Sequence, residues 1–432
     1  MRLPTIFFFL LSLILSPAFS QKAYVAPIQK DHSTLLYTLT LYLKTPLQPT
    51  ILHLDLGASF TWADCYTNYN STSYRHVPCA SPLCNSFHSL ACGNCYASPG
   101  PACANDTCSL YPENPVTRQV TVANAIVDSL ALPVAGGSVP GQFGVVPDFV
   151  FSCSRTFLLK GLAPKATGLV ALGRSNHSLP VQVSEALSAP RYFALCLSGS
   201  SKPGVALFGS SGPYYFSSQV DLSKSLVYTP LILNRVGNTV VTYQQPSDEY
   251  YINLTSIQVN GKAVEFNNSQ TLLTVDENGF GGTKISTANP YTTLESSIYK
   301  AFIEAFIKES GALNLTERLA VEPFDVCYPA SDVIITRVGP GVPTVDLIMQ
   351  NDGVFWRIFG SNSMVRMGKD GVDVWCLGFV DGGANARTSV VIGGHQMEDN
   401  LLQLDLENQR LGFSSSILLK GTTCDSFSFE SY

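Results

Sequence analysis

A few stretches of this chain hold residue types that do chemistry. His53 and Asp55 lie two apart, and Ser59 follows; these are the three side-chain types of a nucleophilic triad. Alternation along a strand puts His53 and Asp55 on one face. No spacing argument brings Ser59 against them, so His53 reads as a packed strand histidine. Cys92-Gly93-Asn94-Cys95 has the form of half a zinc site, but no second such pair and no His pair follows, so no metal or other cofactor is expected. His395, after Gly393-Gly394, reads as a turn residue at a cleft. There is no Gly-x-Ser-x-Gly elbow and no phosphate-cradling glycine loop. Trp62, Trp356 and Trp375 are assigned to the core rather than to sugar platforms.

The elements that must position these residues are mainly strands. Leu36 to Leu43, Val205 to Phe208, Tyr250 to Val259 and Thr388 to Ile392 are short, β-branched and aromatic, with turn residues between them; this is the pattern of a mainly β protein. One clear helix is predicted over Leu294 to Lys308, with Ile298, Phe302, Ala305 and Phe306 at helical spacing and Gly311 as its stop. A shorter helix is predicted over Val181 to Leu187. A weak internal repeat pairs "ILHLDLGASFTW" from Ile51 with "GTKISTANPYTTL" from Gly282, each followed much later by an apolar-Gly turn, at Gly168 and at Val390. Two copies of one plan mean two similar lobes. The Gly/Ser/Pro/Tyr-rich stretch from Gly212 to Ser225 divides them, giving an N-terminal β lobe over 21–215 and a C-terminal lobe with tail over 216–432.

The chain has 432 residues, 45% hydrophobic and 13% charged, with a formal net charge of -6. That is ample material for large cores and too little charge for disorder. The weakly acidic balance, without basic clusters, excludes nucleic acid and anionic membranes as partners. Arg2, the apolar run Ile6 to Leu15 and the small-x-small site Ala18-Phe19-Ser20 predict a signal peptide over 1–20. That run is short for a bilayer span. The twelve cysteines fit an oxidising compartment. Six of them (Cys79, Cys84, Cys92, Cys95, Cys103, Cys108) crowd a stretch with little hydrophobic periodicity, read as a loop insertion over 79–108 tied by its own bridges. Sequons at Asn70, Asn105, Asn176, Asn253, Asn267 and Asn314 are glycan acceptor candidates and expected surface positions. A secreted, soluble monomer is expected.

Three longer strings carry a resemblance: "HLDLGASFTWADC" from His53, "GLVALGRSNHSLPVQ" from Gly168 and "VIGGHQMEDNLLQLDLENQRLGFSSS" from Val391. With the cysteine distribution, they resemble the pepsin-like aspartic protease superfamily over the whole mature chain. The likeness is greatest to a plant subgroup that includes extracellular dermal glycoprotein, basic 7S globulin and the xylanase and xyloglucan-endoglucanase inhibitors. The resemblance implies a bilobal pepsin-like fold with few short helices. It also implies bridges Cys65–Cys153, Cys196–Cys424 and Cys327–Cys376, with the six inserted cysteines pairing among themselves in an order the sequence leaves open.

Peptide hydrolysis on that fold needs two carboxylates sharing one proton, one charged and one kept neutral by its neighbour. Each normally sits in an Asp-Thr/Ser-Gly turn. Here the first turn is Asp55-Leu56-Gly57-Ala58, without the supporting hydroxyl. The second falls by position on Ser286-Thr287-Ala288-Asn289, and a serine holds no charge there. Asp276, ten residues upstream, has no spacing argument for the role. The flap expected above the site reads Tyr111-Pro112-Glu113-Asn114-Pro115-Val116-Thr117, stiffened by two prolines. No enzymatic activity is expected.

The resemblance points instead to a protein inhibitor of microbial cell-wall glycoside hydrolases, located in the plant apoplast or cell wall. The cleft of such a hydrolase carries two carboxylates, for which a rigid guanidinium is the matching probe. Arg318 and Arg387 fit by loop position. The C-terminal tail lacks the histidine found in cereal xylanase inhibitors, which favours a xyloglucan-specific endo-β-glucanase as target. The alternatives are a seed storage or peptide-binding protein of basic 7S globulin type, and a residual aspartic endopeptidase.

Overall fold

In a computed structural model the described residues are 23–429, apart from 68, 136–141, 217–219, 242–244, 317–318 and 370. The expected signal peptide and Arg318 lie outside them. Two β lobes join through one antiparallel sheet, to which each contributes three strands. Its order is Tyr24–Lys30, Gly204–Phe208, Tyr192–Cys196, Leu401–Asp405, Arg410–Phe413 and Val227–Ile232. The central pairing, Phe193 opposite Leu404, is where the lobes meet. The four inner strands are almost wholly buried, which explains why Val205–Phe208 and Leu401–Leu404 read as continuous apolar runs broken only by Gln403.

The internal repeat is a repeat of strand pairing. In the first lobe Gln48–Asp55 runs parallel to Gly168–Ala171, and Trp62–Asp64 runs parallel to Phe143–Ser154. In the second, Thr283–Ile285 runs parallel to Val390–Ile392, and Thr292–Leu294 runs parallel to Phe379–Asp381. Leu169 faces His53 on one side and Trp62 on the other; Val391 faces Lys284 and Thr293 in the same way. The register therefore makes His53 equivalent to Lys284, and Asp55 equivalent to Ser286.

The long helix runs Ser296–Gly311, two residues later at its start than the periodicity predicts. Thr292–Leu294 is held as a strand, and the Glu295 carboxylate accepts the backbone N–H groups of Ser297 and Ile298, capping the helix there. The shorter helix spans Leu179–Leu187, with Pro180 in its first turn. The single strand expected over Tyr250 to Val259 is two, Tyr251–Ile252 and Ser256–Val259. The chain leaves one sheet after Ile252, which pairs with Thr283, and enters another at Ser256, which pairs with Ile348. Trp62 and Trp356 are core residues. Trp375 is half-buried, with the Arg366 guanidinium over its ring.

A buried polar cluster also ties the lobes. Glu398 accepts from Lys30 Nζ and Tyr37 Oη, both at 2.5 Å, and lies 3.2 Å from His395 Nδ1. Burial would push the Glu398 carboxyl up, but His395 and Lys30 hold it down at about 2. His395 belongs to the short helix Gly394–Met397 and serves this cluster.

All twelve cysteines are paired. Cys65–Cys153, Cys196–Cys424 and Cys327–Cys376 are present. Within the insertion the pairs are Cys79–Cys92, Cys84–Cys108 and Cys95–Cys103. Cys92 and Cys95 thus serve different bridges, and the zinc-like spacing carries no metal chemistry. Cys196–Cys424 closes a loop of 228 residues and fastens the tail to the first lobe. Replacing both by alanine is expected to lower stability by about 2–5 kcal/mol, because the unfolded chain regains the freedom the bridge removes. Denaturant unfolding checks this, and an unchanged midpoint would show that the bridge adds nothing to the packing of the tail.

Candidate functional site

Asp55 ends the strand Gln48–Asp55 at the floor of a cleft of about 740 Å³ that Ser286 also lines. Asp55 Oδ1 accepts the Gly57 N–H at 2.7 Å. Ser286 Oγ donates to Asn289 Oδ1 at 2.9 Å and accepts the Ala288 N–H at 3.3 Å. Its hydroxyl closes its own turn. Between the two turns runs a one-sided grip: Thr287 Oγ1 donates to the Leu54 carbonyl at 2.7 Å and accepts the Leu56 N–H at 3.2 Å. Leu56, the register equivalent of Thr287, is fully buried and returns no such bond.

Residues not singled out by sequence reasoning line the cleft beside Asp55. Lys284, only 9% exposed, pairs its ammonium with the Glu249 carboxylate. Glu249 also accepts from Ser247 Oγ at 3.1 Å. It leans over Gly57 so closely that a Cβ there would lie 3.0 Å from Glu249 Cγ, and any larger residue would push the Glu249 side chain aside. Burial would push the Lys284 ammonium down, but Glu249, helped by Tyr251 and Asp55, holds it above the ordinary lysine value. Burial pushes the Asp55 carboxyl up to about 6; Glu249 and Glu113 add to this, while the Gly57 N–H and Lys284 oppose it. One signal could have found Lys284: it is a charged residue at the inward strand position that His53 occupies in the other repeat.

The flap segment is a hairpin, with Glu113 bridged to Val120 and Asn114 N–H donating to the Gln119 carbonyl at 2.8 Å. Its tip is fastened down. Asn114, fully buried, donates from Nδ2 to the carbonyls of Leu158 and Lys160 at 2.6 and 2.9 Å. Trp62 Nε1 donates to the Glu113 carbonyl at 3.0 Å. The hairpin also clasps the other lobe: Glu113 Oε2 accepts the Val240 N–H at 2.8 Å, and Arg118, ion-paired to Glu113 at 2.9 Å, donates to the Asn238 carbonyl. The constraint thus comes from bonds at both ends of the hairpin as well as from its prolines.

Arg387 lines the same cleft. Its Nη2 donates to the carbonyls of Val236 and Gly237 at 3.1 and 3.3 Å, and the guanidinium lies over the Phe280 ring. Its buried Nε has no partner among the described residues. The triad types do not assemble. His53 is fully buried, with burial lowering its imidazole to about 4, and Ser59 is hydrogen-bonded to Asp248 instead. Of the sequons, Asn70, Asn105, Asn176, Asn267 and Asn314 are exposed, whereas Asn253 is half-buried. No helix among the described residues is long and apolar enough to cross a membrane.

Against known proteins, a family model described as xylanase inhibitor N-terminal matches residues 37–210, and one described as xylanase inhibitor C-terminal matches 249–415. The chain is 54% identical over 427 residues to the probable aspartic proteinase GIP1 of Glycine max, spanning 98% of this chain and 96% of that protein. The crystal structure of EDGP superposes with a TM-score of 0.90 at 47% identity, covering 95% of this chain and 99% of that one. Conglutin gamma, described as a unique basic 7S globulin from lupine seeds, superposes at 0.81 with 34% identity, covering 94% and 99%.

The raised Asp55 carboxyl has a consequence for stability. The folded chain keeps a proton there that the unfolded chain loses near 3.8. The site's contribution is therefore fully present below that value and lost as pH rises through about 6. Asp55→Asn keeps an acceptor for Gly57 and cannot ionise. Relative to wild type, it is expected to gain on the order of 2–3 kcal/mol between about pH 4 and about pH 7. Urea unfolding at both values measures it; a constant difference would contradict a desolvated carboxylate.

Proposed function

This chain belongs to the xylanase-inhibitor family of two-lobed, pepsin-like plant proteins, and we propose that it is a secreted, catalytically silent member that binds and inhibits microbial cell-wall glycoside hydrolases of the xyloglucan-specific endo-β-glucanase type. The observation that carries the loss of catalysis is Ser286 at the register position equivalent to Asp55. With a serine at that position, Asp55 has no carboxyl in the facing turn with which to share a proton across a water, and Glu249 is taken by Lys284. Lys284 and Glu249 stand beside Asp55, paired to each other, and the flap is bonded to the opposite lobe.

The inhibitory contact is assigned to Arg318 and Arg387, on the resemblance and on the chemistry of the target. A hydrolase cleft offers paired carboxylates. For Arg387, such a carboxylate would replace the two neutral carbonyls on Nη2, exchanging neutral hydrogen bonds for a stronger charge-assisted one. A second reading, storage or peptide binding in seeds, is favoured by the likeness to conglutin gamma from lupine seeds and by the size of the cleft.

The test is inhibition of a xyloglucan-degrading endoglucanase by wild type, Arg318→Ala and Arg387→Ala, with thermal melts confirming the fold. Each variant is expected to lose affinity by about 2–5 kcal/mol, since truncation leaves a hydrolase carboxylate buried and unpaired, with about tenfold per 1.4 kcal/mol. Equal inhibition by all three overturns the arginine contact. A wild type that inhibits no glycoside hydrolase overturns the inhibitor reading in favour of the storage one.

A further inference from the structure

A second groove, away from the cleft, lies where the chain passes between two sheets. The strands Val227–Ile232, Tyr251–Ile252 and Thr283–Ile285 pair side by side, and the short helix Ser269–Leu273 is tied to them by the Gly282 N–H on the Leu272 carbonyl at 2.9 Å. Between them is a space of about 560 Å³, the size of a small-ligand site. One part of its lining is apolar (Ile232, Leu233, Leu273 and Val275), and the rest is polar, with Thr274 and Asp276 among it. Leu233 is 46% exposed and gives the groove an uncovered apolar face. Arg235 and Glu277, both exposed, add polar groups to the lining.

Asn253 also lines this groove. It begins the sequon Asn253-Leu254-Thr255, and its side chain makes no hydrogen bond among the described residues. The Asn253 amide is not among the buried side-chain groups without a partner, so it is open to the groove and can carry a substituent beside the exposed Leu233. The Thr255 hydroxyl is already committed to the carbonyls of Met349 and Ile348, at 2.5 and 3.2 Å. Any modification here must precede folding, as transfer to a chain entering the secretory pathway does.

We propose that Asn253 carries an N-linked glycan whose first N-acetylglucosamine residues lie in this groove and cover its apolar walls. In the transfer, Nδ2 gives up one hydrogen and bonds to C1 of the reducing-end sugar. The bond from C1 to the pyrophosphate of the lipid-linked donor breaks, and its electrons leave with the phosphate. The folded chain then seats the stem of the glycan. The C–H face of a pyranose ring and the acetamide methyl match Leu233, Ile232 and Val275, while the hydroxyls reach Arg235 and Glu277. This rests on the secretory reading and on no assumption about the target hydrolase.

The experiment uses full-length protein secreted from cells restricted to high-mannose glycans. Peptide mass spectrometry reads occupancy at each sequon. An endoglycosidase that cuts between the first two N-acetylglucosamine residues is then applied to native and to denatured protein. At Asn253 the expected result is occupancy with native trimming slower than at the exposed Asn176 and Asn314 by roughly tenfold or more, that is about 1.4 kcal/mol or more of protection. Denaturation is expected to equalise the rates, as is Leu233→Asp in the native protein. An empty Asn253 on a protein glycosylated elsewhere overturns the proposal, and so do equal native rates. A chain with no sequon occupied overturns the secretory reading, and the groove assignment with it.

Discussion

A lysine ammonium buried at the end of a core strand must be neutralised where it stands, and the way this chain does so shapes the cleft. Lys284 takes the Glu249 carboxylate. To reach it, Glu249 leans over Gly57, which brings a second acid beside Asp55. The ammonium that would otherwise stabilise an Asp55 carboxylate is shared with that acid, so burial dominates and Asp55 holds its proton to about pH 6. The pair therefore lines the cleft beside Asp55, and its net effect works against ionisation of that carboxyl. Ser286, turned toward Asn289, offers no charge in return.

The rest of the molecule holds this arrangement rigid. The sheet shared by the lobes and the Glu398 cluster, where Lys30 and Tyr37 of one lobe meet His395 of the other, fix the lobes behind the cleft. Thr287 links the two turns at its floor. In front, Glu113 and Arg118 fasten the flap hairpin to the 238–240 segment, while Asn114 fastens its tip to the first lobe. A protease needs a flap that opens and closes; here that motion would have to break the bonds of Glu113, Asn114 and Arg118.

Much of this is legible in the sequence. The repeat around Asp55 and Ser286 is carried by local strings, and the strand pairing places them as equivalents because both repeats fold through the same parallel and antiparallel partners. Runs such as Val205 to Phe208 name their strands because they are buried on both faces. What the sequence hides is long-range. The Lys284–Glu249 pair joins residues 35 apart, and the clasp joins Glu113 to Val240, 127 apart; no local pattern encodes either. The break at Asn253 is hidden for a related reason, since its cause is the sheet that Ser256 joins at Ile348. The ambiguous element ends, such as the start of the helix at Ser296, are settled by a strand partner, Phe379–Asp381, some 80 residues further on.

The central claim is that Asp55 has a serine, Ser286, and no carboxyl at the register position across from it with which to share its proton. Cleavage of a denatured protein substrate across acid to neutral pH, by wild type and by Asp55→Asn prepared identically, tests it most directly. The account predicts that the two give the same background at every pH and that a transition-state peptide inhibitor of aspartic proteases changes neither. Cleavage by the wild type that the inhibitor blocks and Asp55→Asn abolishes would contradict it.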